Sequence, residues 1–359
     1  MPSSVRSKPG SPHREKLALL VPSFQHERYL PHLLASICRQ TRKPDEILIS
    51  DDASADGSYE LLKGWARGRP GVKIFRQPQN LGITENSNFL LSKTKSDLVV
   101  FLHSDDALLS SRALEKMELL FRHESKLALV ACGRGFLDEK MGLAGTEITL
   151  PSGRHAGLDV RLKILRSEAN LIGEPSCVMF QRNLLTKGFD CDFRQLWDVD
   201  AWLRLLRKGD MGYVAEPLVG IRRHAKQATR QNMLEGRSLK EHLIVYGRLL
   251  AKESPGLSAK DRYRLLYKLT RTACRHPRAV TPEIRIILSE EKKRMGLVEY
   301  YRQKIQYRLG GGSPVAPTSK HRFPVAYGWR DTRWEGGESS GRYTGRDLQN
   351  GLLGCQKAG

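Results

Sequence analysis

Short apolar runs and amphipathic stretches take turns along the first 130 residues. Residues 17–22 form a strand-length apolar run. Between about 28 and 40, Leu30, Leu33, Leu34 and Ile37 recur at the three-to-four spacing of a helix face. The same alternation predicts strands at 46–50, 72–75, 98–102 and 127–132, with helices at 58–67, 86–93 and 111–123 between them. Strands that alternate with helices of this length define β-α-β units and a largely parallel sheet. Such sheets bind ligands beyond the carboxyl ends of their strands, so the residues just after each strand are the candidates for chemistry.

Beyond residue 159 the rhythm changes. A helix at 159–166, a Gly-Glu-Pro turn, a strand at 177–180 and a helix at 198–208 are expected to complete the same domain. Residues 237–305 read as helical, with an apolar stripe of Leu239, Leu243, Tyr246, Leu249 and Leu250. After Gly310 the chain turns to Gly, Ser, Pro and Arg without periodicity, a composition expected to stay disordered. The implied organisation is a flexible N-terminus at 1–15, a catalytic domain at 16–235, a basic helical extension at 236–309 and a disordered tail at 310–359.

Composition narrows the class. Of 359 residues 40% are hydrophobic, and no apolar stretch approaches the roughly 18–20 needed to cross a bilayer. The first 16 residues lack the apolar segment of a secretory signal, so the expected location is cytoplasmic. Six cysteines lie without a C-x-x-C pair and read as reduced thiols. The net charge is +21, and residues 236–359 hold 25 Lys and Arg against 11 Asp and Glu, about two-thirds of the excess. Such a region attracts nucleic acid, anionic lipid or an anionic substrate, or is simply a solvated basic tail.

Two carboxylate pairs stand just past predicted strands: Asp51-Asp52 after the second and Asp105-Asp106 after the fourth. Adjacent carboxylates repel, and a hard divalent cation shared with a diphosphate is a natural compensation. Either pair alone is equally well read as helix caps or a surface turn. Their occurrence at equivalent strand ends favours a site.

Four segments in this order resemble family 2 glycosyltransferases of the GT-A fold. They are Val21-Pro22-Ser23-Phe24-Gln25, Asp51 through Ser58, Asn80-Leu81-Gly82 with Asn88, and Ser104-Asp105-Asp106. The match runs over about residues 16–230. It implies an α/β fold with a Rossmann-like mixed sheet flanked by helices, and transfer of a sugar from a UDP- or dTDP-sugar with inversion. The acceptor would be a carbohydrate or lipid-linked glycan in polysaccharide or glycan biosynthesis. Pro22, Phe24 and Asp52 match positions at the nucleotide base, with Phe24 packing near it and Asp52 accepting a ring N–H. Asp105 and Asp106 match the metal and diphosphate motif, Asp106 being the expected direct ligand of Mg²⁺ or Mn²⁺.

Where many relatives carry Asp, this chain has His103, which is set aside as a structural residue. Asp198 matches the family's base, preceded here by Trp197 rather than Glu; the alternative is a helix cap. Asp200 is read as a favourable first-turn charge. His224, with Arg222 and Arg223 before it, matches a closing stretch that reaches metal or diphosphate, and a solvated basic loop is the alternative. Glu174 is expected to line the acceptor pocket or cap a turn. Two other classes compete. A nucleotidyltransferase would show a Gly-rich basic loop after the first strand, where this chain has Pro22-Ser23-Phe24-Gln25. A nucleic-acid-binding protein would interleave aromatic and basic residues regularly, and only Tyr300, Tyr301 and Tyr307 offer that. The basic extension is instead expected to permit peripheral contact with the inner face of an anionic membrane.

Overall fold

The computed structural model describes residues 14–140, 142–224 and 237–309. Both ends named above, 1–13 of the N-terminus and the whole tail 310–359, lie outside the described residues.

A single ten-stranded sheet forms the centre. Strands β1 (Leu17–Ser23), β2 (Glu46–Asp51), β3 (Val72–Arg76) and β4 (Leu98–Phe101) are mutually parallel, in the spatial order 3-2-1-4. Helices α1 (Leu30–Cys38), α2 (Ser58–Ala66) and α3 (Ile83–Lys93) provide the crossovers. β1 is buried along its whole length, and its side chains divide by parity. Leu17, Leu19 and Val21 enter one core with α1, while Ala18 and Leu20 enter the other. A strand apolar on every position is what a sheet covered on both faces requires.

The second half makes the sheet mixed. After β5 (Ala107–Leu108) and α4 (Ala113–His123) comes β6 (Leu127–Leu137), and then β7 (Leu143–Glu147), β8 (Gly153–His155) and α5 (Gly157–Ser167). β9 (Val178–Gln181) runs antiparallel to both β4 and β6. Helix α6 (Trp197–Leu205) leads into β10 (Asp210–Arg222), which lies parallel to β6 with register shifts around Pro217. β10 falls where sequence periodicity gave no strand, because the Ala215-Glu216-Pro217 break interrupts its alternation.

The extension comprises α7 (Arg237–Glu253), α8 (Ala259–Arg275), α9 (Pro282–Met295) and α10 (Leu297–Leu309). It packs into the core beneath the sheet. Leu243, Tyr246, Leu249 and Leu250 of α7 are buried in one cluster with Phe180 and Trp202. Arg161 of α5 donates to both carboxylate oxygens of Glu253, at 2.8 and 3.3 Å. Glu241 of α7 accepts the N–H groups of Arg194, Gln195 and Leu196 at 2.7–2.8 Å, just before α6 begins. Cys132, Cys177, Cys191 and Cys274 are free thiols as expected, whereas Cys38 is disulfide-bonded. No helix among the described residues is long and apolar enough to cross a membrane.

Candidate active site

The loops after β1 and β4 meet the end of β10 in one crevice. His26, three residues past β1, forms a 2.7 Å hydrogen bond between its Nδ1 and Ser104 Oγ. His224 Nε2 lies 3.1 Å from Asp105 Oδ2. The rings of His26 and His224 stand edge to face at 5.7 Å, and Tyr29 packs against both. His26, Asp105 and His224 therefore offer ligand atoms that all lie within 4.8 Å of one another, as do those of His103, Asp105 and Asp106. Asp105 belongs to both groups.

The two aspartates of the pair have different surroundings. Asp106 is buried, with Oδ2 accepting from Ser176 Oγ at 2.6 Å and Oδ1 from the Arg222 N–H at 3.0 Å. Burial, and then the Asp105 charge beside it, push its pKa well above the carboxylate range. Burial also acts on Asp105, but the His224 hydrogen bond and the nearby His26 and His103 outweigh it and hold its pKa far below that range. Asp105 is the charged member, and Asp106 is fastened by both oxygens.

Ser176 ties the Gly173–Ser176 loop to this motif. Its hydroxyl accepts the His103 N–H at 3.0 Å while donating to Asp106. His103, set aside on sequence grounds, has a buried Nε2 with no hydrogen-bond partner among the described residues. Its ring stacks on Trp197 at 6.1 Å, which brings the start of α6 beside the β4 loop. Asp198 follows, buried, its Oδ1 accepting the Val199 N–H at 2.8 Å. Asp200 bonds to Arg204 on the next turn at 2.7 Å. Glu174 is held by Arg134 at 2.9 Å, and Arg134 also pairs with Glu147.

On the nucleotide side, the backbones of Pro22 and Ser23 pair with Ser50 and Asp51, and the Asp52 N–H donates to Ser23 O at 2.8 Å. Phe24, in the loop after β1, is 39% exposed. Asp52 accepts the N–H groups of Leu81 and Gly82 at 2.8 and 2.9 Å, one on each oxygen. It therefore braces the loop that opens α3, and a base N–H would share an oxygen already in use. Asp51 stays inside the fold, accepting the Ser54 N–H at 3.0 Å.

Arg222 is fully buried. It donates to the carbonyls of Asp105 and Asp138 at 2.7 and 2.8 Å and lies over the Tyr29 ring. Arg223 lies over Phe136 at 3.7 Å. Arg222 thus fixes the β4 loop rather than reaching into solvent for phosphate. Sequence reasoning missed His26, Ser176 and Glu241. His26 directly follows the Val21–Gln25 segment, and Ser176 closes the Gly-Glu-Pro-Ser turn. Glu241, some 45 residues from its partners, leaves no local signal.

A parallel first half joined to a mixed second half, with carboxylate and histidine gathered at the junction, is the arrangement of a GT-A fold. The description "Glycosyl transferase family 2" matches residues 18–189. A Mycobacterium tuberculosis protein is 30% identical over 251 residues, 66% of this chain and 77% of that protein. A Campylobacter jejuni relative described as GalNAc(5)-diNAcBac-PP-undecaprenol beta-1,3-glucosyltransferase is 33% identical over 96 residues, 26% of this chain and 31% of its own. The S. aureus TarS 1–349 structure in complex with UDP-GlcNAc superimposes with a TM-score of 0.53 at 14% identity, over 82% of this chain and 92% of that one. The chain belongs to glycosyl transferase family 2, and it is a glycosyltransferase.

Proposed function

We propose that the chain transfers a sugar from a UDP- or dTDP-sugar to a glycan or lipid-linked acceptor by direct displacement with inversion, aided by a divalent cation. The observation that carries this reading is the meeting of Asp105 with His26, His103 and His224 around one crevice. A low-pKa carboxylate, two nearby imidazoles and a buried Nε2 without a partner make a donor set suited to a divalent ion. Imidazole nitrogens among the donors suit Mn²⁺ better than Mg²⁺, which prefers oxygen ligands throughout. Asp105 and His224 would hold the ion, with Asp106 fixing the loop from behind. That reverses the emphasis of the sequence motif, in which Asp106 is the direct ligand. A cation held there supplies Lewis-acid stabilisation of the departing diphosphate.

The remaining work falls to the chain's own residues. Phe24 presents an apolar face to the base, and Pro22 and Asp52 shape the pocket around it. Asp198 takes the proton of the acceptor hydroxyl as it attacks. Glu174, immobilised by Arg134, offers a fixed acceptor to a sugar hydroxyl. The UDP-GlcNAc complex of the TarS structure supports a uridine donor.

Calorimetric titration with Mn²⁺ tests the cation site. Asp105→Asn is expected to weaken binding at least tenfold, and Mn²⁺ affinity equal to that of the wild type would refute the assignment. Contact with anionic membrane has a surface to support it. Leu297, Val298, Tyr301 and Ile305 are exposed on α10, and Arg302 and Lys304 stand among them. Flotation with phosphatidylglycerol vesicles at low salt is expected to carry the protein, and recovery of all of it below the vesicles would reject that surface.

A further inference from the structure

A charged cleft that shares no lining residue with the crevice lies at the seam between the transferase domain and the extension. Its volume is about 480 Å³, within the range of small-ligand sites. Lys187 from the loop before α6, Arg204 and Arg207 from α6 and the turn after it, and Arg248 and Lys252 from α7 line it. The carboxylates on its wall are Asp190 and Asp200.

Those carboxylates do not balance the cations. Asp200 is taken by Arg204 at 2.7 Å. Arg248 is engaged by Glu283 through two bonds and lies 3.7 Å from Asp190. Arg207 has Glu253 at 3.5 Å, but both oxygens of that carboxylate already receive Arg161. Lys187 and Lys252 form no ion pair or hydrogen bond among the described residues. Burial, and then the Arg207 charge, lower the Lys252 pKa from its ordinary value, and the opposing pull of Asp200 and Glu253 does not make this up.

We propose that this seam is a binding site for a phosphate-bearing anion, held by Lys187, Arg207 and Lys252 with the spare guanidinium N–H of Arg204. Arginine forks and ammonium groups converging on a cleft of this size fit a phosphate or pyrophosphate group. An anion seated there ties α6, which carries Asp198 in its first turn, to α7 of the extension. The site is separate from the donor crevice, and the inference does not depend on the transferase chemistry.

The test titrates the full chain with inorganic pyrophosphate by calorimetry, in low salt and with a chelator present. Lys187 and Lys252 are exposed, so the double variant Lys187→Gln/Lys252→Gln is expected to keep its fold, checked by its melting temperature. Pyrophosphate affinity should fall at least tenfold in that variant and stay within twofold of wild type in Asp105→Asn. A smaller fall in the lysine variant overturns the proposal, as does a loss in Asp105→Asn alone. Sedimentation with phosphatidylglycerol vesicles separates the sources. Vesicle binding that pyrophosphate competes away and the double variant loses identifies a lipid headgroup. Pyrophosphate binding without such vesicle binding identifies a free anion, and both results support the site.

Discussion

Truncating Glu241 should disturb α6, the helix that carries Asp198, from a distance. Its buried carboxylate accepts three backbone N–H groups, from Arg194, Gln195 and Leu196, immediately ahead of α6. Glu241→Ala strands all three donors. A buried donor without a partner costs about 1–3 kcal/mol, so after partial relaxation the loss should be about 3–5 kcal/mol. Domains of ordinary stability hold about 5–15 kcal/mol in total, so the alanine variant is expected to lose too much of it for a clean assay. Glu241→Gln is therefore the informative change. It keeps one carbonyl acceptor, loses the charge, and should cost about 1–3 kcal/mol. Urea unfolding followed by tryptophan fluorescence measures the stability loss, with Trp197 and Trp202 in α6 as local reporters. Steady-state transfer measures the second consequence. If Glu241 positions the segment that carries Asp198, kcat falls about tenfold or more while donor KM stays near wild type. A Gln variant equal to wild type in both midpoint and kcat would refute the reasoning.

Two further outcomes follow from the same geometry. Asp198→Asn should keep the thermal shift that a nucleotide-sugar produces yet lower turnover by about 10²–10⁴, and transfer near the original rate would remove Asp198 as the base. Glu168 is buried and pairs with His242 and Lys268; burial raises its pKa, but those partners outweigh it and leave it below the ordinary value of about 4.3. A depressed folded pKa contributes stability that is present above the unfolded value and lost as pH falls through the folded one. The stability gap between wild type and Glu168→Gln, read from urea midpoints, should therefore be full at pH 7 and close below about pH 4; a gap that does not change between those values would count against the pairing.

Elements with uninterrupted periodicity were legible in the sequence to within a few residues. β1 through β4 and α1 through α4 each announce themselves by local spacing, since their burial comes from one side or both sides of a continuous run. β10 did not, because Gly212, Gly220 and the Glu216-Pro217 bulge break its alternation, and its strand character is imposed by pairing with β6. β5 and β8 are too short to carry a pattern, and β7, Leu-Ala-Gly-Thr-Glu, has no buried residue to mark a face. At the site, the carboxylate pairs were visible as sequence, but the division of labour within Asp105-Asp106 was not. It depends on a serine some 70 residues later and an arginine some 116 residues later, contacts that only tertiary structure creates. His103 looked structural for a similar reason, since nothing local reveals that its Nε2 lacks a partner.

The burial of Arg222 bears on how much of the chain a working transferase needs. The family match stops at residue 189, yet the backbone of Arg222 grips Asp106, its guanidinium holds the Asp105 carbonyl, and His224 completes the group. A shortened protein ending at that boundary would keep every strand of the nucleotide half. It would nonetheless lose the clasp on its own motif, with neither the Arg222 N–H on Asp106 nor the His224 imidazole on Asp105. Sugar transfer is therefore expected only from fragments that reach the point where the last strand returns to the crevice.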